Sequence, residues 1–155
     1  MNYKSAIEVL KKVYNYEIDI CDNSYVDASK SLCFYAGIDA IKNLFELFDD
    51  NCYEIGLMDD LTETIFYIVD RYGKEGLLEV SRCLKYTPEC GKYFGIDHMI
   101  HKVLDTDSLY TLWIQLIGEL NASDKKFILQ ELKRMNVKSK GIRKERISVI
   151  MEALV

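Results

Sequence analysis

A chain of 155 residues with 49% hydrophobic and 29% charged side chains is long enough for one buried core, and too apolar for a disordered polymer. Its net charge of −5 and pI near 5.1 weigh against a general nucleic-acid binder, and runs such as Leu112-Trp113-Ile114 fall far short of the roughly 20 apolar residues that span a bilayer. Cys21, Cys33, Cys52, Cys83 and Cys90 are odd in number and never at Cys-x-x-Cys spacing, which argues against a zinc site or a secreted disulfide scaffold.

Most of these cysteines are expected to be small core residues. The opening residues Met1-Asn2-Tyr3-Lys4-Ser5 lack the apolar stretch of a signal peptide, so a cytoplasmic protein forming one domain over residues 1–155 is expected. The single proline, Pro88, favours helices over a β-rich fold.

Apolar residues recur at helical spacing along nearly the whole chain. Ala6, Leu10, Val13 and Tyr14 share the first face. Residues Tyr16 to Cys21 come closest to strand alternation, but the stretch is short and isolated. Beyond the polar segment Asp19 to Ser24, a second stripe runs through Ile38, Ile41, Leu44, Phe45 and Phe48. The third comprises Leu57, Leu61, Ile65 and Ile68 and ends at Tyr72-Gly73, where glycine can cap with a positive φ.

Leu77, Leu78, Ser81 and Leu84 form a short fourth helix. Thr87-Pro88 reads as an N-cap followed by proline in the first turn of a fifth helix carrying Ile96, Ile100, Val103 and Leu104. The sixth is the clearest, with Leu109, Leu112, Trp113, Leu116, Ile117 and Leu120 at i, i+3, i+4, i+7, i+8 and i+11. Ser123 is the expected cap of a seventh helix (Ile128, Leu132, Met135), and Ile147, Ile150, Met151 and Leu154 mark an eighth. The expectation is an all-α protein, roughly 70–80% helical, built from antiparallel hairpins. Either a compact bundle or a HEAT-like stack satisfies the pattern; no clean repeat period is present, and the length of the chain and the evenness of the hairpins favour the stack.

Charge is unevenly distributed. Residues 1–60 carry 12 acidic and 5 basic side chains, net −7, whereas residues 124–155 carry 4 and 9, net +5. Such asymmetry speaks of partners rather than fold. His98, His101 and Asp105 share a helical face but complete no metal signature, so a solvated face is expected and no metal or cofactor. There is no Gly-x-Ser-x-Gly, no phosphate-cradling glycine loop and no cysteine with a histidine nearby in sequence, and no carboxylate pair is singled out as acid and base. These absences point to a binding protein rather than an enzyme, with no catalytic residues.

Two charged regions are candidates for the binding surface. Lys125, Lys126, Lys133, Arg134, Lys138, Lys140, Arg143, Lys144 and Arg146 could follow a phosphate backbone, although the acidic whole makes nucleic acid the weaker partner. Asp49, Asp50, Tyr53, Glu54, Asp59, Asp60 and Glu63 surround the turn between the second and third stripes. That segment is either an ordinary solvated turn whose acids cap a helix, or an anionic surface with an aromatic anchor for a basic protein.

From Ala40 to Met135 the spacing resembles the immunity protein 30 family of bacterial polymorphic-toxin systems. The stretches carrying the likeness are Ala40-Ile41-Lys42-Asn43-Leu44-Phe45-Glu46-Leu47-Phe48-Asp49-Asp50 and Leu57-Met58-Asp59-Asp60-Leu61 through Ile65. Gly91-Lys92-Tyr93-Phe94 to Val103-Leu104-Asp105 and Lys125-Lys126-Phe127-Ile128-Leu129 complete it. The family tends to an Arg-Ile-Leu-Asn run where this chain has Lys102-Val103-Leu104-Asp105. The resemblance implies a helical, non-catalytic protein that binds and neutralises a cognate secreted toxin, often a nuclease, including toxins of contact-dependent growth inhibition. It says little about which positions touch the toxin, so the acidic site rests on charge. A non-catalytic helical scaffold or adaptor is the alternative.

Overall fold

The 3.6-residue spacing translates into helix from end to end. In a computed structural model describing residues 1–155, 79% of the residues are helical and no strand forms. The helices are α1 (Tyr3–Tyr14), α2 (Asn23–Tyr35), α3 (Ile41–Phe45), α4 (Ile55–Tyr72), α5 (Lys74–Cys83), α6 (Met99–Asp105), α7 (Asp107–Leu116), α8 (Ala122–Asn136) and α9 (Gly141–Ala153). A 3-10 turn (Ile38–Ala40) leads into α3, and a π-helical turn (Tyr93–His98) leads into α6.

The ninth helix is α2, which the apolar pattern does not announce. Its buried positions are Tyr25, Ala28 and Leu32, a sparse stripe, while Phe34 and Tyr35 face solvent. What starts it is Asp22, whose carboxylate accepts a hydrogen bond from the Ser24 backbone N–H at 2.7 Å. The second stripe is likewise not one helix: α3 ends at Phe45, and Phe48 is buried from the loop beyond it. Tyr16 to Cys21 is a turn, with Tyr16 at φ 63. Gly73 has φ 54 and donates to Val69 O at 2.6 Å, closing α4 at the expected residue.

Two expected caps are replaced. Asn121 rather than Ser123 caps α8, its side-chain oxygen accepting from Asp124 N at 2.8 Å. The Thr87 hydroxyl caps nothing and is buried without a partner. The cysteine expectation is also corrected: only Cys83 is buried, while Cys21 and Cys90 are exposed and Cys33 and Cys52 are half-buried.

Consecutive helices pack in pairs, α1 with α2, α4 with α5, α6 with α7 and α8 with α9. Helix α5 touches α3, α4, α7 and α8, a central position that a solenoid, whose repeats meet only their neighbours, does not contain. The arrangement is therefore a bundle and not the stack that the even hairpins favoured, because α5 packs against helices beyond its neighbouring pairs. One continuous core runs from Ala6 to Leu154. At its centre the buried Trp113 indole donates to Ser81 Oγ at 2.9 Å, and Ser81 donates to Leu77 O at 2.9 Å, so the polar handle of the largest core side chain is satisfied. No helix is long and apolar enough to cross a membrane.

Candidate functional site

The acidic segment begins in the loop joining α3 to α4, and two glycines fix where that loop lies. A Cβ on Gly91 would sit 2.2 Å from Phe48 O, and one on Gly95 would sit 2.4 Å from Thr87 Cγ2 and 2.9 Å from Phe48 Cδ2. Only hydrogen at both positions lets the loop settle onto the start of the π-helical turn. The contact is then locked by Asp50. Its backbone N–H donates to Cys90 O at 2.7 Å, and its carboxylate accepts from the N–H groups of Tyr93 and Phe94 at 3.0 and 3.1 Å. Asp50 thus caps a helix 43 residues away in the chain, where the unsatisfied N–H groups favour a negative charge.

The other six residues fall into two groups. Asp49 accepts from Asn51 N at 2.9 Å within the loop, Asp60 accepts from the Tyr25 hydroxyl at 3.0 Å, and Glu63 is ion-paired with Lys102. Burial, followed by the charge of Asp60, pushes the Tyr25 phenol up and keeps it a neutral donor. Glu54 is the N-cap residue of α4, its carbonyl accepting from the Leu57 N–H at 3.0 Å while its carboxylate caps nothing, and Asp59 is exposed with no partner. Tyr53 is 42% exposed, donates weakly to Val13 O at 3.4 Å, and stacks on Tyr16 with ring centroids 3.9 Å apart. The structure therefore keeps Tyr53, Glu54 and Asp59 available at the surface, and gives Asp49, Asp50, Asp60 and Glu63 internal partners.

Tyr16, whose only signal in the sequence is the start of a strand-like alternation, joins this surface from the turn after α1. A groove of about 470 Å³ opens between the end of α1 and the acidic loop, walled by Tyr14, Tyr16, Glu46, Asp49, Cys52 and Tyr53. Between residues 17 and 60 the only acid with a basic partner within 4 Å is Glu46, which lies 3.9 Å from Lys42. The anionic character of the N-terminal region is thus almost uncompensated locally.

The basic end behaves oppositely. Arg134 binds Asp97 and Glu131, Arg143 binds Asp105, and Arg146 binds Asp107 and the carbonyl of Leu104. Each arginine of the tail fastens α8 or α9 to the α6–α7 region, and only its lysines remain unpaired. The bond from Arg143 holds the Asp105 carboxyl below the usual carboxylate range. Asp105 is therefore engaged elsewhere and not poised with His98 and His101. His98 stacks on Phe94 at 5.9 Å, burial and then Arg143 lower the His101 pKa, and nowhere do three His, Cys, Asp or Glu side chains converge as a metal cluster.

Compared with family models, with curated proteins and with solved structures, the chain finds no match.

Proposed function

We propose that this chain is an immunity protein, which binds and neutralises a cognate secreted bacterial toxin in the cytoplasm through the acidic surface around residues 49–63. The observation that carries the reading is the unequal fate of its charges. The arginines of the basic tail are tied to carboxylates, whereas Glu54 beside the exposed Tyr53 and Asp59 on α4 face solvent with no cation within 4 Å. An anionic surface with an aromatic anchor suits a cationic protein, because complementary charge speeds encounter and the desolvated ring holds the complex. A nuclease is the fitting toxin class, since a cleft that binds a polyanion is itself cationic. The resemblance of Ala40–Met135 to the immunity protein 30 family points the same way. The groove wall contains no histidine, and the reading needs no catalytic group, metal or cofactor.

The reading expects the gene immediately upstream to encode a secreted protein with a C-terminal toxin domain, and the test is co-expression of that domain with this chain. Cells carrying both should grow, cells carrying the toxin domain alone should not, and the two purified proteins should form a complex whose association slows as salt rises. The adaptor alternative predicts that deleting the gene impairs growth even where no toxin is encoded, and that result would replace the proposal. A salt-sensitive shift of tRNA or DNA by the isolated protein would instead implicate the lysines of α8 and α9.

A further inference from the structure

We propose that the stacked Tyr16–Tyr53 pair is the seat for an arginine or lysine side chain of the docked partner, with the adjoining groove receiving its aliphatic stem. This inference rests on the reading of the acidic surface as the dock for a cationic protein, and it names the contact made there. Tyr16 is 70% exposed although it is aromatic, and one face of its ring is already covered by Tyr53. Stacking the two rings fixes both side chains before any partner arrives, so little rotamer freedom remains to be lost on binding. The outer face of such a pair carries the negative quadrupole that attracts ammonium and, more often, guanidinium groups.

The surrounding charges select a cation. Asp19 and Glu54 both act on the Tyr53 hydroxyl, whose pKa is raised by burial first and then by Cys52, Tyr16 and these two carboxylates. Glu46 and Asp49 line the groove beside the rings. The cation on the groove wall, Lys11, pairs with Glu8 at 2.7 Å, and of the two groove carboxylates Glu46 has only the long contact to Lys42 at 3.9 Å while Asp49 meets a backbone N–H and no cation. A phosphate or an acidic peptide would be repelled from the same place.

The backbone at Tyr16 gives a way to test the contact apart from the fold. Tyr16 is the only non-glycine residue with positive φ, a conformation that glycine and asparagine hold more readily than tyrosine. Replacing Tyr16 with Gly or Asn therefore removes the ring while easing the turn. If tyrosine is kept there for binding, these variants should melt at or above the wild-type temperature and bind less well.

The experiment uses the full chain and a short fluorescent arginine-rich peptide at low salt, with fluorescence anisotropy for affinity and the NMR resonances of the tyrosine rings for location. Wild type should bind the peptide with shifts centred on Tyr16 and Tyr53, and should ignore an acidic peptide of equal length. Tyr16→Gly, Tyr16→Asn and Tyr53→Ala should each weaken binding by about tenfold, whereas Tyr53→Phe, which keeps the ring, should bind like wild type. Wild-type affinity in both Tyr16 variants overturns the proposal, as does failure of the wild type to bind the peptide. If in addition the double variant Glu54→Gln/Asp59→Asn binds the toxin domain as tightly as wild type, the acidic dock falls too. If that double variant is weakened while the Tyr16 variants are not, the dock stands and only the tyrosine seat is lost.

Discussion

Replacing Asp50 should destabilise the protein far more than replacing the neighbouring acid Asp59, even though both belong to one acidic stretch. The Asp50 carboxylate accepts two backbone N–H groups, from Tyr93 at 3.0 Å and Phe94 at 3.1 Å, which open the helical run leading into α6. Hydrogen bonds to a charged acceptor contribute more than neutral ones, and losing a helix cap costs about 0.5–2 kcal/mol. Asp50 is half-buried, so water replaces the lost acceptor only in part, and Asp50→Ala should cost about 2 kcal/mol. In a protein of this size that is a fall in Tm of roughly 4–8 °C. Asp50→Asn retains one oxygen and should lose about half as much, while exposed Asp59→Asn should stay within about 0.5 kcal/mol. Urea and thermal unfolding give the stabilities, and hydrogen exchange at the Tyr93 and Phe94 amides reports the cap directly. If Asp50→Ala unfolds together with Asp59→Asn and the two amides remain protected, Asp50 is a surface acid and not a cap.

Other substitutions probe separate parts of the structure. Lys85 donates to Asp124 at 2.7 Å, and the Asp124 side chain is only 2% exposed; Lys85→Met should cost about 2–3 kcal/mol by leaving that carboxylate unpaired at the head of α8, and the double change Lys85→Met/Asp124→Leu should recover much of it in urea unfolding. Gly91→Ala drives a Cβ against the Phe48 backbone and should cost about 3 kcal/mol, whereas Gly118→Ala meets nothing within 4 Å and should leave the melt unchanged or raise stability by about 0.5 kcal/mol. Because the His101 pKa is lowered in the folded state, chiefly by burial, the unfolded chain binds more protons; stability should decline as pH falls below about 6.5 toward the lowered value, and His101→Gln should lack that component in melts taken across the range.

The helical stripes were readable because each buried face is apolar at regular spacing, and α4, α7 and α8 fall where those stripes lie. Helix α2 is not legible in the apolar pattern for a physical reason: alanine at its core position 28 buries little, and solvent-facing Val26, Phe34 and Tyr35 blur the two faces. Capping was readable only when the cap was local. Asn121 lies beside the helix it caps and competes with Ser123 on equal terms of sequence, but Asp50 reaches its helix through tertiary contact, which no local rule covers. The Gly91 and Gly95 close approaches are hidden in the same way, since they exist only once Phe48 is in place. The Tyr16–Tyr53 stack is not readable from the sequence because nothing there announces a tyrosine with positive φ.

Charge sums show the same division between composition and geometry. A net of −7 over residues 1–60 and +5 over residues 124–155 suggests two fields of opposite sign, one at each end of the chain. Folding treats them differently. Tail arginines reach the carboxylates of Asp97, Asp105 and Asp107, so part of the positive charge is used to bind helix to helix. No comparable set of cations meets the N-terminal acids, and four of the seven acidic-stretch residues take internal partners that are mostly N–H and O–H groups, which satisfy a carboxylate without cancelling its charge. Asp50 can therefore act as a cap and still add to the field around Tyr53. The structural role and the proposed recognition role need not compete in this stretch, because capping leaves the carboxylate ionised and a cationic protein would respond to the summed potential as well as to the side chains it touched.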